Sequence, residues 1–534
     1  MSRMETFSET SPIRKSAKKR TVLNPSSSGD RIDIEEGEIS NGQVEELRRE
    51  FSVWSLGSLC VCLMATWEAV TSTVAATLTS GGAPCLFYNY IISFVGTIAI
   101  ASSLAEIASI YPTAGVAALA PNKQKRIASW FTGWISIGGQ VVLTASAAFA
   151  AGLQLQGLIT LNHPDSYIPQ RWHGMLFYWL ILLYSAIVNI WGSRSLPHTN
   201  IAAGFLHIAG FVAFMIVLGV MAPKHDAHYV FMEVSNTSGW ENDGVSWLIG
   251  LLSTVYPFLG YDAAAHMAEE MPDPARNVPI AMLGSVIVNG ILGFGWTIMI
   301  LFSLGDLDSL LASATGFPFM QLFLNVTKSQ AGASVISFVI SMTALFANAA
   351  GLTSTSRTYW AFAKDSAAPC SKYFAHVDTK LKIPVRAVVV VSVLQALLGL
   401  IYLGNSTAFN AILAMAILGM YASYLLPIVY MVLHGRKKLS QNQYGPFRLG
   451  RFGPLINLVA VGWLLLAAVF STFPSVQPVT AQNMNYSSVV MVGWLAFGVV
   501  YFVFVGRRNY VVPYVERKSR RERSAGGGYI KPRI

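Results

Sequence analysis

The chain has 534 residues, of which 53% are hydrophobic and only 12% are charged, about half the charged fraction of a soluble globular domain. This composition excludes an ordinary soluble domain, and the apolar runs are close to the length that crosses a bilayer as a helix. The net charge of +10 does not indicate nucleic-acid binding, because Lys and Arg concentrate in both tails and in alternate short loops. The sequence therefore predicts a polytopic membrane protein.

The two ends of the chain differ from the apolar middle. Residues 1–50 are polar, with Ser-rich and acidic patches, and are predicted to form a disordered cytosolic tail without a cleavable signal peptide. Residues 507–534 are predicted to form a basic cytosolic tail. Its basic run favours anchoring at the membrane surface or contact with anionic lipid headgroups, with a regulatory tail as the alternative. Residues 51–506 form the predicted membrane domain.

Twelve apolar runs bounded by charge, Pro or Gly are predicted as membrane-spanning helices, here called spans 1 to 12. Their approximate ranges are 54–79, 86–110, 129–157, 173–193, 200–221, 246–268, 279–304, 332–362, 385–403, 407–433, 454–473 and 487–506. Four cysteines in the whole chain, two of them in span 1, do not make a disulfide framework.

The loop charges orient these spans. The loops after even-numbered spans carry 15 Lys and Arg residues and the loops after odd-numbered spans carry three, so the even loops and both termini are predicted to be cytosolic. All four Asn-x-Ser/Thr sequences fall in loops predicted to lie outside, where N-glycosylation is possible. They begin at Asn236, Asn325, Asn405 and Asn485.

Ionisable side chains within the spans are candidate functional residues, because a charge in the hydrocarbon region is costly unless it faces protein or water. Glu68 in span 1, Glu106 in span 2, and Asp262 and His266 in span 6 stand out. Glu106 favours a structural pairing with Arg or a hydroxyl group. Glu68 is either a substrate ligand, a proton carrier or a carboxylate bonded within the bundle.

Span 6 contains the helix-weakening residues Pro257 and Gly260. An interruption near 257–262 is predicted, with a simple proline kink as the alternative, since broken helices expose backbone groups to substrate in many secondary transporters. His266 follows Asp262 by four residues and shares its helix face, which fits either a proton relay or a satisfied polar pair. Glu269 and Glu270, at the edge of the span, favour a structural role.

Two segments carry a family resemblance. Residues 269–282, EEMPDPARNVPIAM, resemble the Glu-x-x-x-Pro-x-Arg-x-x-Pro signature of amino acid/polyamine/organocation permeases, and residues 357–369, RTYWAFAKDSAAP, resemble a segment that ends span 8 in that superfamily. LTSGG (78–82) and SLAEIASIYPTAG (103–115) are similar to its first two helices. The motif residues to which the resemblance assigns structural roles are Glu106, Glu270, Pro274, Arg276, Pro279, Arg357 and Asp365.

The resemblance narrows to the fungal amino acid/choline transporters, which include permeases for choline and 4-aminobutyrate. It rests on PVTAQNMNYSSVV (478–490), YGPFRLGRFG (444–453) and IYLGNSTAFNAI (401–412). This subfamily usually has about five more residues between Gly115 and Val116, so the inner loop after span 2 is expected to be shortened. Either the shortening is tolerated, or it impairs gating, or it reflects a misread exon boundary.

The resemblance implies an all-α integral membrane fold of twelve transmembrane helices. These comprise an inverted five-plus-five helix repeat of the LeuT type, with helices 1 and 6 broken at the substrate site, and two extra helices. By position, the break in helix 1 falls on Trp67-Glu68-Ala69, where the superfamily usually has a small, glycine-rich triplet. The implied substrate-binding residues are Trp67, Glu68, Ala69, Phe258, Gly260, Tyr261 and Asp262. Glu68 and Asp262 are expected to be neighbours, and Trp67, Phe258 or Tyr261 to supply cation–π contact.

The function predicted from these features is proton-coupled import of a small amine-bearing solute, an amino acid such as 4-aminobutyrate or choline, by alternating access across the plasma membrane. Glu68, Asp262 and His266 are the proton-coupling candidates. A nutrient sensor on the same fold or a transporter of a specialised metabolite is the alternative. No catalytic nucleophile, metal-ligand spacing or phosphate-binding loop indicates an enzyme or a cofactor, and the expected partners are substrate, proton and membrane lipid.

Overall fold

The computed structural model describes residues 52–112, 115–404 and 408–513, together with two short strands. These strands, Ile39–Ser40 and Gln43–Val44, pair antiparallel, with Ile39 opposite Val44. The described residues from 52 onward form a separate, helical unit.

The first half of this unit contains ten helices before the long helix that follows the permease-like signature. They are α1 (Val53–Met64), α2 (Thr66–Ile110), α3 (Gly115–Leu119), α4 (Lys125–Asn162), α5 (Arg171–Trp191), α6 (Leu196–Met221), α7 (Ala227–Phe231), α8 (Asp243–Ile249), α9 (Leu252–Val255) and α10 (Ala263–His266).

The second half begins with that long helix and ends close to the second tail. Its helices are α11 (Pro274–Phe302), α12 (Leu307–Leu311), α13 (Pro318–Thr327), α14 (Gln330–Lys364), α15 (Ser371–Phe374), α16 (Val385–Leu398), α17 (Ile401–Gly404), α18 (Ala408–Tyr430), α19 (Arg436–Lys438), α20 (Gly453–Phe470), α21 (Ser487–Tyr501) and α22 (Arg507–Asn509). Short 3₁₀ and π segments connect several of them, at Ser193–Ser195, Tyr256–Phe258, Ala268–Glu270, Met431–Gly435, Gln441–Gln443, Gly450–Phe452 and Phe502–Gly506.

Within the described ranges, ten helical runs are long and apolar enough to cross a membrane. The run Val53–Ile110 has 58 residues and covers spans 1 and 2, which meet at a kink where Gly82 adopts φ 70°. Span 6 is divided among α8, α9, α10 and two 3₁₀ segments, each too short to cross alone. The all-helical multi-pass fold is confirmed, and the count of twelve helices stays a prediction.

Apolar side chains cover the lipid-facing surface as well as the interior. Phe205, Val220 and Phe504 are at least 72% exposed, whereas Glu106, Asn189 and His207 are fully buried. This inverts the arrangement of a soluble protein and fits a bundle whose solvent is hydrocarbon, since polar groups there need partners inside the protein.

The first span is interrupted at Ala65, which adopts a left-handed conformation with φ 41°. Long-range bonds hold this break: the amide of Thr66 donates to the Asn289 side chain of α11, and the Thr66 hydroxyl donates to the carbonyl of Pro257. The expectation that Trp67-Glu68-Ala69 forms the break is wrong by position, because these residues lie in the first turn of α2.

The sixth span is interrupted where it was predicted. The 3₁₀ turn Tyr256–Phe258 ends at the extended residue Leu259, and Gly260 follows at φ 113°. A Cβ atom at Gly260 would lie 2.8 Å from Cγ of Leu63 in α1, so the backbone approaches α1 closely here. The two breaks therefore meet inside the bundle.

Beyond the breaks, hydroxyl groups join the second half of span 1 to the first half of span 6. The bonds run from Thr77 to the Gly250 carbonyl, from Ser246 to the Ser80 carbonyl, and in both directions between Thr73 and Ser253. We call this set, together with the bond from Thr66 to Pro257, the hydroxyl ladder. It fixes these two half-helices against each other.

The loops gather on two opposite faces. One face, here called the basic face, carries the ends of the helices at Tyr111, Lys125, Glu270, Lys364 and Arg436. Its segments bond to each other, as between Arg436 and Glu106 or between Val511 and Asp365. The loops of the other face bond likewise, for example Gln477 to Ser238.

Candidate functional site

A cavity of about 310 Å³ opens at the basic face and reaches the break in span 6. Its lining comes from the basic-face ends of α2, α4, α14 and α18, from the segment after the break, and from Tyr510 and Pro513. It includes exposed Glu269 at one extreme and buried Asp262 at the other. On the other side of the breaks, the hydroxyl ladder holds the half-helices of spans 1 and 6 together. Among the described residues, the cavity beside the span 6 break opens toward the basic face.

Asp262 and His266 form a bonded pair in the cavity wall. The His266 Nε2 atom lies 2.9 Å from Oδ2 of Asp262, as their four-residue spacing predicted. The same ring nitrogen lies 2.6 Å from the Gln140 amide, which also contacts Thr358. The Gln140 Nε2 atom faces the ring, and its Oε1 atom accepts a hydrogen bond from the Thr358 hydroxyl, so a side chain of α4 contacts the bonded pair.

Tyrosine rings surround Asp262 on the side of α18. The ring centroids of Tyr261 and Tyr424 are 5.6 Å apart, and those of Tyr421 and Tyr424 are 6.2 Å apart. Tyr424 also lines the cavity. The Tyr261 hydroxyl is buried without a hydrogen-bond partner among the described residues, and the Tyr424 hydroxyl is buried close to the Asp262 carboxylate. A carboxylate beside aromatic rings suits a small cationic headgroup.

Glu68 lies elsewhere, in contact with a residue that was not singled out from the sequence. Its Oε1 atom is 2.8 Å from Nδ1 of His207 in α6, and both side chains are almost completely buried. The other polar atom of each, Oε2 of Glu68 and Nε2 of His207, has no hydrogen-bond partner among the described residues. Glu68 and Asp262 thus each have their own histidine partner, and the expectation of one shared carboxylate site is not met in this conformation.

Two of the predicted cation–π residues are held in other packing. Trp67 packs against His207, Phe211, Phe214 and Trp296, and its indole donates to the His207 carbonyl. Phe258 stacks on Phe94 with centroids 5.7 Å apart. Of the seven predicted binding residues, Asp262 lines the cavity. Trp67, Glu68, Phe258, Gly260 and Tyr261 are buried and Ala69 is half-buried.

The two motifs that carry the permease resemblance meet at the basic face. Nε of Arg357 lies 3.0 Å from Oε1 of Glu270, with both side chains buried. Pro274 begins α11, Arg276 lies exposed in its first turn, and Pro279 lies inside it. The signature thus fixes how span 6 leaves the cavity and how α11 begins.

Glu106 makes the structural pairing expected of it. Its carboxylate lies 2.5 Å from Nη2 of Arg436 and accepts the backbone amide of Leu449. Arg436 in turn donates to Asn457, which donates to Ser103. This network attaches the segment between α18 and α20 to the end of α2.

Asp365 lies just beyond α14, where residues of the second tail dock. Its carbonyl accepts the amide of Val511, and Tyr510 contacts Ser129 at the end of α4. Burial and the neighbouring Glu269 carboxylate raise the pKa of Asp365 to about 6, against the opposing effect of Lys364. Asp365 therefore binds its proton more tightly than an ordinary aspartate does.

The predicted glycosylation residues differ in their surroundings. The Asn236 amide donates to Trp240 and Asp243, and the Asn485 amide donates to Ser471 and Phe473. Asn325 is exposed on α13. Asn405 lies outside the described residues, as do residues 113–114 beside the expected shortening of the inner loop. The latter expectation stays a prediction.

Comparison with known proteins decides the family. The amino acid permease family model matches residues 51–497. The chain belongs to the amino acid permease family. This permease is a multi-pass membrane transporter rather than an enzyme, as the motifs at Glu270 and Arg357 predicted.

Individual relatives agree. The permease is 33% identical to a choline transporter of Saccharomyces cerevisiae over 90% of its own length and 85% of that protein. It is 30% identical to amino-acid permease 2 of Neurospora crassa, over 88% and 87% of the two chains. A manganese transporter of Eremococcus coleocola superposes with a TM-score of 0.54 at 13% identity, covering 85% of this chain and 93% of that one. This last likeness shows the fold alone.

Proposed function

We propose that this permease imports a small amine-bearing solute, an amino acid such as 4-aminobutyrate or choline, by proton-coupled alternating access, at the plasma membrane with both termini in the cytosol. The observation that carries the proposal is the cavity that runs from the basic face to Asp262 at the break in span 6. It fits the inward-open stage of a transport cycle, with the hydroxyl ladder closing the other side. Sequence similarity to a choline transporter and to an amino-acid permease supports the substrate class.

The chemistry of the cavity favours binding of the cationic end of the substrate at Asp262. The carboxylate is buried and Tyr261 and Tyr424 lie beside it. An ammonium or trimethylammonium group there gains charge attraction in a low-dielectric site and contact with the ring faces. When the substrate is a zwitterion, its carboxylate can accept hydrogen bonds from backbone amides at a helix N-terminus freed by a break.

Uptake in a yeast strain without its own choline and 4-aminobutyrate permeases tests the function. We expect saturable uptake of one of the two labelled compounds, stronger at pH 5 than at pH 7 and abolished when the proton gradient collapses. Asp262→Asn is expected to lower uptake by about tenfold or more, since a hydrogen bond to a charged group contributes roughly 1.5–3 kcal/mol.

Asp308→Asn is the matched control, because this aspartate is exposed in α12, away from the cavity. Wild-type protein that reaches the cell surface and takes up neither compound, nor any other amine or amino acid, contradicts the proposal. Unchanged uptake by Asp262→Asn contradicts the assignment of the substrate site while leaving the function in place.

A further inference from the structure

The Glu68–His207 pair is separate from the cavity and is enclosed by protein. Its two side chains are 4% and 0% exposed and join α2 to α6. Each side chain uses one polar atom in the bond between them and leaves the other unpartnered among the described residues. A buried polar atom without a partner is costly, so a pair that leaves two of them needs an explanation beyond packing.

Among the described residues, no ion pair other than their own involves Glu68 or His207. The helices that pack on both α2 and α6 are α11, α13 and α14, and α1 packs on α6. α1 contributes the thiols of Cys60 and Cys62. The sequence has no ionisable side chain from Asn277 to Phe302, from Pro318 to Thr327 or from Gln330 to Ser356.

The remaining ionisable groups nearby are already bonded or distant along the helix. On α2, the Tyr90 hydroxyl donates to Gly290, and Glu106 is paired with Arg436 at the basic face. At the break in span 6, Tyr256 bonds to Ser146 and Asp262 bonds to His266. On α6, His198 is exposed in the first turn of the helix, nine residues before His207.

Proton accounting then restricts the states of the pair. With one proton between them, Glu68 and His207 are neutral together, either as carboxylate and imidazolium or as carboxylic acid and imidazole. Loss of that proton leaves a net charge of −1 and gain of a second leaves +1. Either charge is strongly disfavoured where both side chains are enclosed by protein. The proton exchanges only when movement between α2 and α6 admits water.

We infer that Glu68 and His207 together carry the proton that drives transport, an inference that rests on the proposed function. Glu68 lies three residues after the break at Ala65, in the first turn of α2. Movement at this break during alternating access changes the position of Glu68 relative to α6. Proton exchange by the pair is thereby tied to the conformational step, and Asp262 is left to bind the substrate.

The test separates substrate exchange from proton-driven accumulation, with purified permease in liposomes and the labelled substrate identified by uptake. Counterflow of substrate needs no net proton movement. Accumulation does, and two pH units support about hundredfold accumulation with one proton per substrate. For Glu68→Gln and His207→Gln we expect counterflow within about twofold of wild type, whereas the accumulation ratio and the ratio of uptake at pH 5 to pH 7 both fall to about one.

Matched controls are Glu233→Gln and His198→Gln, which remove exposed residues of the same types and should behave as wild type. A pH-sensitive dye inside the liposomes adds a second reading, since substrate should bring in protons with wild type and with the controls but not with Glu68→Gln. If His207→Gln does not fold, Glu68→Gln, which keeps the side-chain volume, decides alone.

Wild-type accumulation and pH dependence in Glu68→Gln overturn the inference. Equal loss of counterflow and accumulation in a folded variant also overturns it, because the pair would then serve structure or substrate binding. If the wild-type permease shows neither counterflow nor accumulation with any amine tested, the proposed function fails, and this inference fails with it.

Discussion

One buried ion pair, between Glu270 and Arg357, links the two sequence motifs that carry the permease resemblance. Glu270 and Arg357 are 87 positions apart in the chain and form a buried bond at the rim of the cavity. Removing one partner from such a pair typically costs about 3–5 kcal/mol, because the other charge stays buried. The pair therefore requires both motifs at once, and it positions the end of span 6 against α14.

The raised pKa of Asp365 predicts how the stability of the folded permease depends on pH. This pKa, near 6 in the folded protein, is above the ordinary aspartate value, so the folded state binds this proton more tightly than the unfolded state does. Stability associated with Asp365 therefore rises as pH falls through 6 toward 4. We expect Asp365→Asn to melt about 1–3 °C above wild type at pH 7 and by a clearly smaller margin at pH 5, because the difference disappears only as pH falls toward 4.

Thermal unfolding of the purified proteins in detergent at both pH values measures this difference. Asp308→Asn, which changes an exposed aspartate, should follow wild type at each pH. A gap between Asp365→Asn and wild type that is the same at pH 7 and pH 5 contradicts the assignment.

The sequence identified individual functional side chains more reliably than it identified the residues that they bond to. Glu106, Asp262 and His266 could be selected because each is an ionisable residue within an apolar run, and the bond between Asp262 and His266 follows from helical spacing. His207 carried the same signal, a histidine in the middle of span 5, and was overlooked. Its pairing with Glu68 depends on how α6 packs against α2, which no local pattern encodes.

The broken helices are the feature that matters most at the scale of elements. The break in span 6 is encoded locally, by Pro257 and by Gly260 at φ 113°. The break in span 1 falls on Ala65, where neither Gly nor Pro marks it, and Asn289 and Pro257 from other helices hold it. For this reason the break in span 6 could be located from the sequence, whereas the break in span 1 could not be placed to the residue.

Gly260→Ala tests the importance of the local break. An L side chain is strained at this φ, and its Cβ atom would lie 2.8 Å from Leu63. Strain of about 1–3 kcal/mol is expected, which corresponds to a fall in transport of about tenfold when normalised to surface expression.

The control is Gly284→Ala in α11, where a Cβ atom has nothing within 4 Å. The double variant Gly260→Ala/Leu63→Ala removes the contact but not the backbone strain, so it should recover little activity. Normal transport by Gly260→Ala shows that this backbone geometry is not needed for the cycle.

For the whole molecule, the distribution of charge predicted one basic face, and the cavity opens on that face. Which side of the membrane it faces is testable with a native thiol. Cys60, Cys62 and Cys85 are buried, and Cys370 is exposed between α14 and α16. We expect a membrane-impermeant maleimide to label the permease in permeabilised cells and not in intact cells.

Cys370→Ser should abolish this labelling without affecting uptake, which identifies the modified thiol. Labelling of Cys370 in intact cells reverses the predicted orientation, and the cavity would then face outward.

The hydroxyl ladder has a consequence for the resting state of the permease. Its five bonds involve neutral groups only, so neither ionic strength nor pH titrates them. At roughly 0.5–1.5 kcal/mol each, they contribute several kcal/mol to holding these two half-helices together. The energy that separates the two half-helices must therefore come from events at the two breaks, and not from the ionic conditions of the medium.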